Sequence, residues 1–282
     1  MHTDPPHRGL AQAVGSGPLP EEETLVSRIT ILGYGVMCYS VAMAVLLYAF
    51  GFIGGFLTPT MLDSPAREPF WAAPAVDLAL LLVFAVQHSG MARPAFKQLW
   101  TRFVPEAAER STYLLASSMA LGALMAFWQP IGGVVWHVAS GDGRAAIIAL
   151  YVCGWLLLLY STFLIDHLDL FGLKQVWGFF TGRSYRPPRF HAPTLYKVVR
   201  HPLYFGWLTL VWAAPTMSFA HLVFAVTTSV YILIAIQFEE RDLVDAFGAT
   251  YVVYRARTPM LVPRLSVPRP PNRAEEVDPD LI

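Results

Sequence analysis

Apolar residues fall in six runs set apart by polar or proline-rich stretches: 29–56, 72–90, 112–128, 144–165, about 202–214 and about 219–238. The first is long enough to cross a hydrocarbon core of about 30 Å as a helix, and the others read as further spans, the third rather short. The last two are one apolar stretch broken once, at Ala214-Pro215-Thr216-Met217-Ser218, which reads as a helical hairpin. The predicted architecture is all-α: a polytopic integral-membrane helical bundle with six spans, or five if the last hairpin is re-entrant. The fifth run is the shortest, and 1.5 Å per residue gives it only about 20 Å. Either its helix begins earlier, near Thr194, with Pro202 as a kink, or it is a half-span.

The stretches between and around the runs are plainer. Residues 57–71 are a Pro-rich loop, and Gly51 and Gly55 form a small-xxx-small pair that suggests helix packing. Residues 1–28 are rich in Pro, Gly and Glu without periodicity and read as a disordered cytoplasmic tail. They lack the basic cluster and short apolar core of a secretory signal. Residues 264–282 read as a second disordered cytoplasmic tail, which leaves 29–263 as the membrane domain, with no internal repeat.

Composition agrees with the runs. Of 282 residues, 55% are hydrophobic and 14% charged, and mean hydropathy is +0.46, too apolar for an ordinary soluble domain. The net charge of zero points to no nucleic acid. Cys38 and Cys153 both lie inside apolar runs and read as small packed residues rather than a disulfide. His88, His167, His191 and His201 lack HxxxH or HxH spacing and a Cys partner, so no metal site is expected.

The basic residues orient the bundle. Arg93, Lys97, Arg102 and Arg110 lie between runs two and three; Lys174, Arg183, Arg186, Arg189, Lys197 and Arg200 between four and five; and Arg241, Arg255, Arg257, Arg264, Arg269 and Arg273 after six. The opposite loops hold only Arg67 and Arg144. By the positive-inside rule both termini and both basic loops are cytoplasmic.

A hairpin brings its outer ends together. Here they are Arg200-His201-Pro202-Leu203-Tyr204-Phe205-Gly206 and Phe238-Glu239-Glu240-Arg241-Asp242-Leu243. Ionisable residues crowded at the ends of membrane helices are costly and suggest function. Pro202 at a helix start would leave the next backbone N–H groups open to an anion. Inside a helix it would free carbonyls for a cation. Tyr204 follows one turn on, and Gly206 leaves room for a ligand or a backbone. Glu239 and Glu240 point about 100° apart on a helix, so one can face a site while the other faces solvent or Arg. Two carboxylates at a helix C-terminus need a cation, from Arg200, Arg241, Arg255 or a ligand. Tyr251, Tyr254 and Arg255, at i, i+3 and i+4, share a face of a short helix after Gly248 that can fold back over the site. Upstream, the Asp166–Trp177 segment leaves the fourth run carrying His167 and Asp169, and His88 ends the second run on the same side. Each feature also has a bland reading: an interfacial kink, aromatic anchors, a solvated charge run.

The pattern R-H-P-x-Y-x-G, hairpin, E-E-R-D-L, then Phe247-Gly248-Ala249-Thr250-Tyr251-Val252-Val253-Tyr254-Arg255 resembles the integral-membrane methyltransferases related to isoprenylcysteine carboxyl methyltransferase. A closer resemblance covers roughly residues 30–263. Asp169-Leu170-Phe171-Gly172-Leu173-Lys174-Gln175-Val176 looks like the D-L-F-G-L-x-Q-V segment of bacterial methanethiol S-methyltransferases. That resemblance implies a multi-pass enzyme of the bacterial inner (cytoplasmic) membrane, its active site facing the cytoplasm. It would use S-adenosyl-L-methionine (SAM) to methylate a small volatile thiol, methanethiol giving dimethyl sulfide, among membrane lipids. It implies cofactor binding by Arg200, His201, Pro202, Tyr204, Gly206, Glu239, Glu240, Arg241, Tyr251, Tyr254 and Arg255. Asp169, His167 and His88 are then the candidates to position or deprotonate the thiol, in a pocket walled by Leu168 and Phe171. Carboxyl methylation of a prenylated cysteine, or methylation of another lipid-like acceptor, is the alternative within the family. A non-enzymatic transporter or assembly protein is the alternative outside it. The oligomeric state is left open.

Overall fold

The computed structural model describes residues 24–65, 71–186 and 190–263. The expected disordered tails fall almost wholly outside these. The chain is a bundle of helices: α1 (Leu25–Gly54), α2 (Ala72–Ala92), α3 (Pro94–Trp100), α4 (Glu106–Phe127), α5 (Gly141–Ile165), α6 (His167–Leu170), α7 (Leu173–Phe180), α8 (Pro202–Trp212), α9 (Phe219–Phe247) and α10 (Ala249–Arg257). The strands β1 (Val134–His137) and β2 (Thr216–Ser218) pair antiparallel, a small sheet that the apolar pattern does not announce.

Among the described residues, α1, α2, α5 and α9 are long and apolar enough to cross a membrane. The two other expected spans are less clear. α4 has 22 residues, but its first turn carries Glu106 and Glu109, and Ser111, Ser117 and Ser118 are buried along it. α8 has only 11 residues, roughly 16 Å at 1.5 Å each. Of the two readings of its start, the earlier one is not seen: Thr194–Lys197 is a separate turn of 3-10 helix, and Pro202 is the first residue of α8 after an extended His201.

α8 packs lengthwise on α5, backbone to backbone. A Cβ on Gly154 would lie 2.8 Å from Leu210 N and 2.9 Å from Gly206 O, and one on Gly206 would lie 2.8 Å from Leu158 N. α1 packs on α4 and α7, and α2 on α4 and α9. Gly51 and Gly55 prove to end a helix rather than pack one. Gly55 is the left-handed C-cap of α1 at φ 74°, and Gly51 lets Phe56 O come within 2.5 Å of where a Cβ would be.

At the end away from the motifs, β1 and β2 tie the α4–α5 loop to the hairpin turn, with Trp136 opposite Met217. Asp63 reinforces that end, accepting hydrogen bonds from Ser218 N (3.2 Å) and His221 Nδ1 (2.8 Å). Nε2 of His221 donates to Val211 O at 2.9 Å. One end of the bundle is thus closed by polar ties, and the motif residues gather at the other.

Candidate functional site

Three clusters contain the residues singled out above. The first is the hairpin mouth. His201 caps α8 with its backbone, and its N–H pairs with Met260 O (3.1 Å) while Arg200 N pairs with Pro259 O (2.8 Å). This short backbone ladder holds the R-H-P turn against the segment after α10. The Arg200 guanidinium donates to Glu240 Oε1 (2.7 Å), Arg255 O (2.9 Å) and Thr258 O (2.6 Å). Glu240 Oε1 is also 3.0 Å from His201 Nε2. Tyr204 donates to Glu239 Oε2 at 2.9 Å, and its ring lies 5.6 Å from that of His201.

Which glutamate faces inward now has an answer in helix phase. The side chain of Glu240 is 8% exposed and locked in the Arg200 pair; that of Glu239 is 42% exposed and turned to Tyr204. Neither ends a helix, because α9 runs on to Phe247, about two turns further. Arg200, not the helix-end cations Arg241 and Arg255, supplies the neutralising charge. Arg241 is exposed and lies over Phe238 (5.7 Å), and the exposed Arg255 contributes only its carbonyl.

α10 folds back as the i, i+3 spacing requires. Tyr251 is buried, and Tyr254 is half-buried and donates to Tyr196 O (2.6 Å). Phe190 packs on Phe247, Tyr251 and Tyr254 at 5.4, 5.7 and 5.2 Å. Burial raises the phenols of Tyr196 and Tyr251, and that of Tyr254 to about 12 with Arg200 opposing the rise, so all three stay protonated hydroxyls near neutral pH. Tyr196 and Tyr251 both lie within electrostatic reach of Glu239. The result is a half-exposed carboxylate among tyrosines, beside the start of α8. Gly206, by contrast, faces the backbone of α5.

The second cluster surrounds His88. Its Nδ1 lies 3.2 Å from Ser117 Oγ, and the Tyr113 hydroxyl is 3.0 and 3.1 Å from its two ring nitrogens. The ring stacks on Phe84 at 5.2 Å. Next to it, Ser89 and Tyr231 share a hydrogen bond of 2.9 Å, Phe84 lies 6.5 Å from the Tyr231 ring, and Tyr204 and Tyr231 pack against the same Ile232 and Ile236. Tyr113, Ser117 and Tyr231 were not singled out from the sequence. The signal was there: Tyr113 and Ser117 are one turn apart on α4, and Tyr231 is eight residues, about two turns, before Glu239.

The third cluster holds His167 and Asp169, and no hydrogen bond or ion pair among the described residues joins it to the hairpin mouth. His167 is buried, bonded to Tyr39 Oη (2.9 Å) and Thr162 Oγ1 (2.8 Å), between the rings of Phe163 (4.4 Å) and Phe171 (4.7 Å). Burial lowers its pKa, with Asp166 partly offsetting. Asp169 is paired with Arg110 (2.8 Å) and accepts from Gln175 Nε2 (3.0 Å). Asp166 caps Asp169 N and pairs with Lys174; burial works against its charge, but those partners hold its pKa below the usual value. Leu168 is about half-exposed and Phe171 is spent on His167 and Tyr39, so neither walls the expected pocket. A cleft of about 560 Å³ borders this cluster through Gln175, with Pro105, Glu106, Phe179, Arg183 and Tyr185, and none of the hairpin-mouth residues lines it. Among the described residues no three His, Cys, Asp or Glu side chains gather as a metal would need.

The chain is 46% identical over 249 residues to the methanethiol S-methyltransferase of Crocosphaera subtropica, covering 87% of this chain and 98% of that one. It is 46% identical over 235 residues to the methanethiol S-methyltransferase of Mycobacterium tuberculosis, covering 83% and 96%. Nurim of Xenopus laevis is 30% identical over 202 residues, covering 68% and 70%. No family model matches the chain, and no solved structure does.

Proposed function

The chain belongs to the family of the methanethiol S-methyltransferases, and from that premise we propose that it transfers a methyl group from SAM to a small thiol, methanethiol becoming dimethyl sulfide. One observation carries the reading: Arg200, His201 and Tyr204 converge on Glu239 and Glu240 at the start of α8.

The residues at that mouth fit SAM by their chemistry. Pro202 has no N–H, and the backbone N–H groups that open α8 suit a carboxylate. The exposed edge of Glu239 suits an ammonium or a sulfonium, with Tyr196, Tyr204 and Tyr251 around it. When bound, SAM supplies a methyl already activated on its sulfonium. The chain's own tasks are to bind, to align the thiol sulfur and to accept its proton. Alignment is worth several kcal/mol, up to about 7–11 in favourable cases. A free thiol with a pKa of about 8.5 is mostly protonated at neutral pH, so a base within hydrogen-bond reach helps. Of the three candidates His88 is the best placed, since it stacks on Phe84, which touches Tyr231, and Tyr231 packs with Tyr204 on one apolar cluster. His167 and Asp169 hold the α5–α7 junction.

The site faces the cytoplasm of a bacterial inner membrane in this proposal, on the strength of the Lys and Arg distribution. α4 completes the crossing, and α8 is a half-span. Reporter fusions after Arg257 test the orientation, and a periplasmic signal would refute it. Headspace detection of labelled dimethyl sulfide from purified protein given SAM and methanethiol tests the reaction. Efficient methylation of farnesylcysteine in place of the thiol would overturn the acceptor and leave a SAM-dependent membrane methyltransferase.

A further inference from the structure

Polar side chains in the motif-side half of the bundle come from four helices: Gln87, His88 and Ser89 of α2, Tyr113 and Ser117 of α4, Tyr204 of α8, and Tyr231 and Glu239 of α9. They form three neighbouring hydrogen-bonded groups. Gln87, His88, Tyr113 and Ser117 make one; Tyr231 with Ser89 makes the second, joined to the first through Phe84, whose ring lies 5.2 Å from His88 and 6.5 Å from Tyr231; and Tyr204 with Glu239 makes the third, Tyr204 packing with Tyr231 against Ile232 and Ile236. Gln87 Oε1 is buried with no hydrogen-bond partner among the described residues. Polar groups inside a membrane bundle are costly and are kept for a use, and packing alone does not need three phenols and an imidazole at this spot.

We infer that this array is the acceptor half of the site: a small thiol docks against the Tyr113 hydroxyl, between Tyr204 and Tyr231, and Tyr113 relays its proton to His88. The inference rests on the methyl-transfer reading above. The Tyr113 hydroxyl is both donor and acceptor, and Nε2 of His88 lies 3.1 Å away, while Ser117 Oγ occupies Nδ1. As the S–H bond breaks, the phenol oxygen takes that proton and gives its own to the imidazole. The thiolate lone pair makes the new S–C bond, and the pair of the broken C–S bond stays on the donor sulfur. The proton ends on His88. His167 and His201 do not offer this arrangement. Both nitrogens of His167 are bonded within its own aromatic cage, and His201 is tied to Glu240. Phe84 stacked on the ring and Ser117 at Nδ1 hold His88 in place.

The test uses the full-length protein in detergent or nanodiscs. Tyr113→Phe should lower kcat with a small alkanethiol tenfold or more, while affinity for S-adenosylhomocysteine, measured by calorimetry, stays within twofold. A small thiol already ionised at the assay pH, such as 2,2,2-trifluoroethanethiol, should recover most of the lost rate because it needs no proton acceptor. In the absence of any methyl donor, a small thiol should shift the ¹⁵N ring resonances of His88, assigned by their loss in His88→Gln, in the wild type and not in Tyr113→Phe. Equal loss of rate with both thiols, or a His88 signal in the wild type that ignores the thiol, would make Tyr113 a packing residue and overturn the inference while the cofactor site stood. Failure of the wild type to bind S-adenosylhomocysteine would remove the methyl-transfer reading, and the inference with it.

Discussion

Gly154 of α5 and Gly206 of α8 face each other with no side chain between them: each carbonyl oxygen lies 2.9 Å from where the other's Cβ would be. This contact sets the position of α8, and with it the height of the R-H-P turn. Gly206→Ala would bring a methyl to 2.8 Å from Leu158 N, a backbone atom that cannot swing aside. Overpacking of this kind costs about 1–3 kcal/mol. The variant should lower the thermal midpoint in detergent and weaken SAM binding. Gly33→Ala, where nothing lies within 4 Å, should do neither.

The two adjacent glutamates should separate cleanly. Glu240→Gln leaves the nearly buried Arg200 without its counter-charge and should destabilise by about 3–5 kcal/mol. Glu239→Gln removes a part-exposed carboxylate and should cost under about 1 kcal/mol of stability while weakening SAM binding. Thermal melts beside calorimetry on both variants check the split, and a reversed pattern would exchange their roles. His201→Ala and Tyr204→Ala should weaken SAM binding without unfolding, and unchanged affinity in both would contradict the proposed cofactor site.

Asp169→Asn distinguishes chemistry from packing. The carboxylate holds Arg110 and Gln175, and losing a charged hydrogen bond there should cost about 1.5–3 kcal/mol. Turnover on methanethiol should then fall together with the thermal midpoint. A fall in turnover at an unchanged midpoint would return Asp169 to the chemistry.

Acid should weaken the junction after α5 through His167. Its folded pKa is lowered, chiefly by burial, from the ordinary 6.5. Above 6.5 the imidazole is neutral folded or unfolded, so this term favours the fold fully. As pH falls below 6.5 the unfolded chain takes up the proton first, and stability drops until the folded pKa is passed. Hydrogen exchange of α6 and α7 from pH 7.5 to 5.5 should show faster opening in acid, and His167→Gln should flatten that dependence. An equally steep dependence in the variant would assign it to other groups.

Much of this was legible where function is written contiguously. The R-H-P-x-Y and E-E-R segments, and the tyrosines three apart in α10, could be read because each is a local pattern and a hairpin must bring its ends together. What could not be read depends on helix phase and on partners far along the chain. Hydropathy falls at Glu239, so the helix seemed to end there. In fact α9 continues: Arg200 neutralises the buried Glu240, and Glu239 keeps a part-exposed carboxylate bonded to Tyr204. Tyr113, Ser117 and Tyr231 carry a helical spacing, but that spacing gains meaning only when α2, α4 and α9 are packed together. His167 and Asp169 drew attention as ionisable residues at a span's end, yet their partners, Tyr39, Thr162, Arg110 and Gln175, make a joint of them. The β1–β2 pair joins segments about 80 residues apart and has no local signal.

The pairing of Arg200 and His201 with Pro259 and Met260, and of the guanidinium with Thr258 O, bears on the order of synthesis. The turn that opens α8 leaves the ribosome nearly sixty residues before the segment that secures it. Every apolar helix can therefore be inserted in the bilayer while the mouth is still unmade, and competence arrives only with Thr258, Pro259 and Met260. A chain stopped after Gly248 should reach the membrane intact yet be unable to hold SAM, so premature termination would yield a stable, silent product instead of a degraded one.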